Sequence, residues 1–310
     1  MLQYKKTFTN ERIFMKRIIS CYPSDFEQFT KDEFKQAIEA SEGRTIVAET
    51  VVTAAPLLEG VTNAEVMAAF GADLIILNEF DVFTKEIHSF TAENPIAELK
   101  CLTGRPIGIN LEPVDQTGKL LEEQISLPAG RCLNPESLIR ARKLGVDFIL
   151  LTGNPATGVT VQSILEAIPL AKEYFGGLIF AGKMHGAGVK EDLLQIKTLT
   201  DYIKQGADGV LIPAPGTVPG VTEELAHQAI QAIHQLGGLT LASIGTSQES
   251  ADEDTIRSIA LSNKRAGFDL HHIGDGGYGR MPIPENITAL SIAVKGKRHT
   301  YFKMAQSVRR

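Results

Sequence analysis

Five side chains in this sequence could do acid–base or covalent chemistry at one place: Glu49, Glu112, Lys183, His185 and His272. Each lies at or just beyond the end of an apolar run. A lysine so placed can form a Schiff base with a carbonyl compound if burial lowers its pKa, or act as a fixed cation for a carboxylate or phosphate. His185 can exchange a proton nearby, and Glu112 or His272 is the expected base. Asn78, Asn110, Thr152, Ser243 and Asp275 would supply polar contacts to a substrate. Two glycine-rich exits, Ile244-Gly245-Thr246-Ser247 and Gly274-Asp275-Gly276-Gly277, let backbone N–H groups approach an anion. Gly245, Thr246, Gly274, Gly276 and Gly277 are therefore the expected phosphate-binding set. Asp275 opposes that reading, because a carboxylate repels an anion and suits a hydroxyl or a metal better.

The elements that position these residues follow from a repeat. Glycines precede the apolar runs at Gly43, Gly71, Gly104, Gly145, Gly176, Gly206, Gly237 and Gly267, and the last five are 31, 30, 31 and 30 residues apart. That spacing holds one strand, one helix and two short loops, with each glycine at a helix C-cap. The strand-like runs are 45–53, 73–78, 106–112, 147–152, 178–183, 209–213, 240–245 and 269–274. They are apolar nearly throughout, as parallel strands covered on both faces must be. Between them, Thr62-Asn63-Ala64-Glu65 reads as a capping box and Asn134-Pro135-Glu136 as an N-cap before proline. Eight βα units predict a (β/α)8 barrel, residues 43–310 with a C-terminal helix, and an open doubly wound sheet as the second choice. Residues 1–42 form an extension whose helix, over 22–42, closes the bottom of the barrel. Met15 is an alternative start.

Even-numbered units open Gly-x-Asp (Asp73, Asp147, Asp208, Asp269), whereas the fifth and seventh open Gly-Gly-Leu. Alternate strands fill alternate layers of a closed barrel, which would account for this difference. Aligning even strands on the shared Asp points Asn78, Thr152 and His272 inward and turns His271 toward the helices. For odd strands, the phase that puts small or polar residues inside selects Glu49; Gly108, Asn110 and Glu112; Ala181 and Lys183; Ser243 and Gly245. Ligands bind at the C-terminal ends of barrel strands, so these side chains would meet there. Glu49 and Glu112 could also pair with Lys183 merely to satisfy buried charge.

Composition bounds the function. A formal charge of -6 gives no basic field for nucleic acid. Three cysteines, Cys21, Cys101 and Cys132, show no metal spacing and suit a reducing cytoplasm. No apolar run approaches the roughly 18 residues of a membrane span. The pattern Ile287, Leu290, Ile292, Val294, Tyr301, Phe302 suits a helix that caps the barrel or packs on a second subunit as a homo-oligomer.

The runs 71–78 and 106–112 resemble the early strands of phosphoenolpyruvate mutase and isocitrate lyase-type barrels. That resemblance implies bond cleavage or formation beside a 2-oxo acid with a bound divalent metal, Mg2+ or Mn2+. The acidic run those barrels carry after the third strand is missing here, with only Asn110 and Glu112 nearby, and so is their lysine-cysteine loop. Segments 71–83, 108–115, 183–185 and 206–212 are similar to BtpA-like barrels. The expectation is an uncharacterised barrel family near those two: an enzyme of lyase, isomerase or mutase type acting on a small anionic metabolite, a phosphorylated sugar or 2-oxo acid. The alternatives are a metal-assisted hydrolase using Glu49, Glu112 and His185, and a non-catalytic ligand-binding barrel.

Overall fold

The computed structural model describes residues 16–115, 123–186 and 191–310. The Met15 start, and Ala187 and Gly188 beyond the Lys183 strand, lie outside the described residues. Eight parallel strands, β1 (Thr45–Val51), β2 (Leu74–Asn78), β3 (Ile107–Leu111), β4 (Phe148–Leu151), β5 (Leu178–Gly182), β6 (Gly209–Pro213), β7 (Leu239–Ile244) and β8 (Leu270–Ile273), close in chain order into a TIM barrel. Two helices precede it, α1 (Pro23–Phe26) and α2 (Lys31–Glu39). Eight alternate with the strands: α3 (Asn63–Ala69), α4 (Pro95–Thr103), α5 (Pro135–Leu144), α6 (Val161–Tyr174), α7 (Ile196–Gln205), α8 (Glu223–His234), α9 (Glu253–Ala266) and α10 (Pro284–Ala305). Left-handed glycines cap α4, α5, α7 and α9 at Gly104, Gly145, Gly206 and Gly267. Thr62 and Glu65 form the expected reciprocal cap of α3. Among the described residues no helix is long and apolar enough to cross a membrane.

Two apolar layers divide the side chains of each strand. The inner one contains Val47, Leu74, Ile76, Phe148, Leu150, Leu178, Phe180, Leu211, Leu239, Leu241 and Leu270. The outer one, under the helices, contains Ile46, Ala48, Ile75, Ile109, Ile149, Ile179, Ala181, Ala242 and Ile273. Seven strands therefore have the expected phase and β5 has the opposite one. The rule of small residues inside fails there because room is made elsewhere. A Cβ on Gly108 would lie 2.3 Å from the Phe148 ring and one on Gly209 would lie 2.6 Å from the Phe180 ring. Two rings fill the space that these two glycines leave, packed edge to face with centroids 6.2 Å apart.

The Gly-x-Asp pattern has a cause other than layering. Asp73, Asp147, Asp208 and Asp269 each accept, through Oδ2, a backbone N–H at the start of the preceding odd strand, from its first or second residue: Ile46, Ile107, Ile179 and Thr240, at 2.7–2.9 Å. Each aspartate is also paired with a basic side chain, Lys295, Lys100, Lys31 or His234. Four carboxylates thus lock strand pairs β1–β2, β3–β4, β5–β6 and β7–β8 in register at the bottom of the barrel.

The bottom is closed by residues 18–39 and by the C-terminal helix. Phe34, Ala37 and Ile38 of α2 join Ile18 in the inner layer, so α2 forms the floor plug. The expected single helix is broken by residues 27–30, where Thr30 starts α2 with a capping box. α10 kinks at Gly296, whose φ of 74° only glycine adopts easily. Its last turns run under the barrel, where Lys303 Nζ and Gln306 Nε2 both donate to the Cys21 carbonyl.

Candidate active site

Strand ends β1, β2, β3 and β8 bring their last inward residues together. His272 Nε2 and Glu49 Oε2 are 2.6 Å apart, and both side chains are buried. Asn110 Nδ2 donates to Glu49 Oε1 at 2.6 Å and to Asn78 Oδ1 at 3.0 Å. Asn78 Nδ2 donates to Asp275 Oδ2 at 2.8 Å. Glu49, His272, Asn78, Asn110 and Asp275 therefore form one connected set, the first four brought in by their inward phase and Asp275 by the turn after β8.

Sequence reasoning missed three members. Asn154, two residues past Thr152, exchanges amide hydrogen bonds with Asn78 and donates to Glu112 from both its backbone N and its Nδ2. Arg131, from the long β3–α5 connection, lies 3.0 Å from Glu112 and 3.7 Å from Glu79. Glu249, in the turn after β7, is buried with its Oε2 unpartnered. All three sit in loops, where inward phase has no meaning. Only the length of the β3–α5 connection signalled anything. Glu79 joins the rim with a φ of 62°, held by its N–H to Asn78 Oδ1 and by the Thr53 hydroxyl.

Five buried polar atoms at this face lack a hydrogen-bond partner: His272 Nδ1, Asn110 Oδ1, Arg131 Nε, Thr152 Oγ1 and Glu249 Oε2. Buried polar atoms are seldom left so, and where they are, function is a common reason. Burial, reinforced by the charge of Glu49, pushes the Asp275 carboxyl up to about 6. Burial raises the Glu249 carboxyl too. His271, on the outer side of β8, has Nε2 2.9 Å from the Gly43 carbonyl oxygen, and burial lowers it to about 4.

Other expected residues fall elsewhere. Lys183 shares the outer phase of β5, so its Nζ does not enter the mouth. It is buried against the Val159 carbonyl at 3.0 Å and Glu191 Oε2 at 2.7 Å. Lys183 is thus not the inward anchor expected of it, and Glu49 and Glu112 do not pair with it. Ser243 faces inward but donates to the Ile212 carbonyl. Thr246 Oγ1 lies within hydrogen-bond distance of the Thr217 carbonyl and of Gln248 Oε1. The glycines of the two exits have packing reasons: a Cβ on Gly245 would meet Met184 Sδ at 2.9 Å, one on Gly274 the Ile244 carbonyl at 2.9 Å, and one on Gly277 the Met281 carbonyl at 2.3 Å. On Gly276 it would meet Glu249 Oε1 at 1.7 Å, so the protein's own carboxylate lies where an anion was expected. Glu49, Glu112 and His185 are not assembled as metal ligands: among the described residues no three His, Cys, Asp or Glu side chains are placed to hold an ion.

A family model for a domain of unknown function, DUF7916, matches residues 19–310. The chain belongs to that family. A search of curated proteins gives no match. Among solved structures it is similar to a protein assigned as a lyase/mutase from Burkholderia cenocepacia J2315, with 16% identity, 85% of this chain and 84% of that one covered, and a TM-score of 0.51. An archaeal fructose-1,6-bisphosphate aldolase with a covalently bound catalytic Lys is 13% identical over 82% of this chain and 95% of that one, with a TM-score of 0.51. A 2,3-dimethylmalate lyase of the PEP mutase/isocitrate lyase superfamily is 14% identical over 78% of each chain, with a TM-score of 0.47. At these identities the likeness is one of fold.

Proposed function

We propose that the protein is an enzyme of lyase or isomerase type that moves a proton on a small metabolite, with His272 as the proton-transfer group and Glu49 as its orienting partner. The observation that carries this is the buried His272–Glu49 contact of 2.6 Å, with Nδ1 unpartnered. A carboxylate that accepts from Nε2–H fixes the tautomer and leaves Nδ1 as the lone pair that takes the proton. Asn110 secures the other oxygen of Glu49, so the carboxylate cannot rotate away. Asn78 and Asn154 form a reciprocal amide pair beside this group, and their remaining N–H donors fix the Asp275 and Glu112 carboxylates at the mouth. The enzymes named among the solved structures, a lyase/mutase and an aldolase, agree with this class of chemistry.

The test is isotope exchange. Protein incubated with mixtures of small metabolites in D2O is expected to introduce deuterium at carbon in at least one of them, read by mass spectrometry. His272→Asn should abolish it. Exchange at an unchanged rate in that variant would remove His272 from the chemistry.

A further inference from the structure

We propose that this mouth takes a substrate carrying a protonated amine, held by Glu249 and Asp275 beside His272. The inference rests on His272 and Glu49 being the reacting centre and concerns what that centre binds. Three carboxylates bear on His272. Glu49 touches it, while Glu249 and Asp275 both interact electrostatically with Glu49 and with His272. Glu249 and Asp275 are neighbours through Gly276, which follows Asp275 and lies under Glu249 Oε1. Against them, Arg280 bears on Asp275, and Arg131 is engaged with Glu112 and Glu79 on the other side of the mouth. The described charges around the reacting nitrogen are therefore mostly negative.

Most of the unpartnered atoms point the same way, the exception being Arg131 Nε, whose guanidinium is held by Glu112 and Glu79. Glu249 is 3% exposed with Oε2 unpaired, and Asn110 Oδ1 is another buried acceptor without a donor. A ligand that donates hydrogen bonds satisfies them, whereas phosphate or carboxylate offers only further acceptors. A bare divalent ion needs ligands that converge to within roughly 2.0–2.6 Å, and the described residues supply no such set. An ammonium group reaches oxygens at roughly 2.7–2.9 Å in several directions and so tolerates their wider spacing. Hydroxyls alone could pair with the oxygens but would not offset their charge. Burial and the charge of Glu49 raise both carboxyls, and a bound cation opposes the second of these effects.

The experiment is calorimetric titration of the full chain with matched probes: D-glucosamine against D-glucose, ethanolamine against ethylene glycol, and putrescine against 1,4-butanediol, with glucose 6-phosphate and pyruvate as anions. At least one amine should bind about 10-fold or more tighter than its hydroxyl partner, the strength of a hydrogen bond to a charged group. Binding should weaken from pH 7.5 to pH 5 as Asp275 protonates. Glu249→Gln and Asp275→Asn, which preserve shape, should each weaken it about 10-fold, with melting curves confirming that they fold. The proposal is overturned if a neutral or anionic probe binds as well as its amine counterpart, or if no amine binds. His272→Asn separates the two readings: it should retain amine binding while losing isotope exchange, so either can fail alone.

Discussion

His272 and Glu49 meet because β8 and β1 are neighbours in register, with His272 opposite Val47 and Glu49 two residues further along. Glu49→Gln keeps the shape of the contact but removes the charge that stabilises an imidazolium. Isotope exchange should fall by roughly 10²–10⁴ while the melting temperature changes little. Asp275 adds a dependence on pH. Its carboxyl is raised to about 6 in the folded chain from 3.8 in the unfolded one, so between these values the folded state binds more protons. Its contribution to stability is therefore greatest near pH 4 and declines as pH rises to about 6. Denaturant titrations from pH 4 to pH 7 should show this decline in the native chain and a smaller one in Asp275→Asn.

At the scale of elements, the Asp clamps differ in what they hold. Asp73 is fully buried with Lys295, whereas His234 beside Asp269 is 40% exposed. Asp73→Ala strands a buried cation and should cost about 3–5 kcal/mol in urea unfolding, and Asp269→Ala closer to 1 kcal/mol. Gly108→Ala drives a Cβ into the Phe148 ring and should cost about 1–3 kcal/mol, largely recovered when Phe148→Leu is added. These same features show how far the sequence could be read. The barrel, its glycine caps and the inward His272 were legible because a 30-residue period and a shared Asp set both spacing and phase. β5 was not, since Phe180 is inside only because Gly209, in the next strand, makes room. The alternation of Asp was visible but its cause was not, because a side chain that bonds the neighbouring strand's backbone is a contact in space. Asn154, Arg131 and Glu249 stayed hidden because they project from loops.

For the molecule as a whole, the segment around Cys21 and Phe26 meets the end of α10 under the barrel around a buried lysine. Lys303 donates to the Cys21 carbonyl and faces the Phe26 ring, and burial pulls it down to about 7 from 10.5. Between those values the unfolded chain holds the extra proton, so stability should rise as pH goes from about 7 to 10. Lys303→Met should flatten that rise and raise stability at pH 7, since Gln306 still donates to the Cys21 carbonyl. The clamps carry a further consequence for how the chain comes apart. Each joins an odd strand to the even strand after it, so β2/β3, β4/β5, β6/β7 and β8/β1 are seams without such a lock. Two fragments divided between Tyr174 and Leu178 each keep both of their locks and should reassociate into a barrel when mixed. Fragments divided between Gln205 and Gly209, where β5 is parted from its Asp208, should reassociate less well.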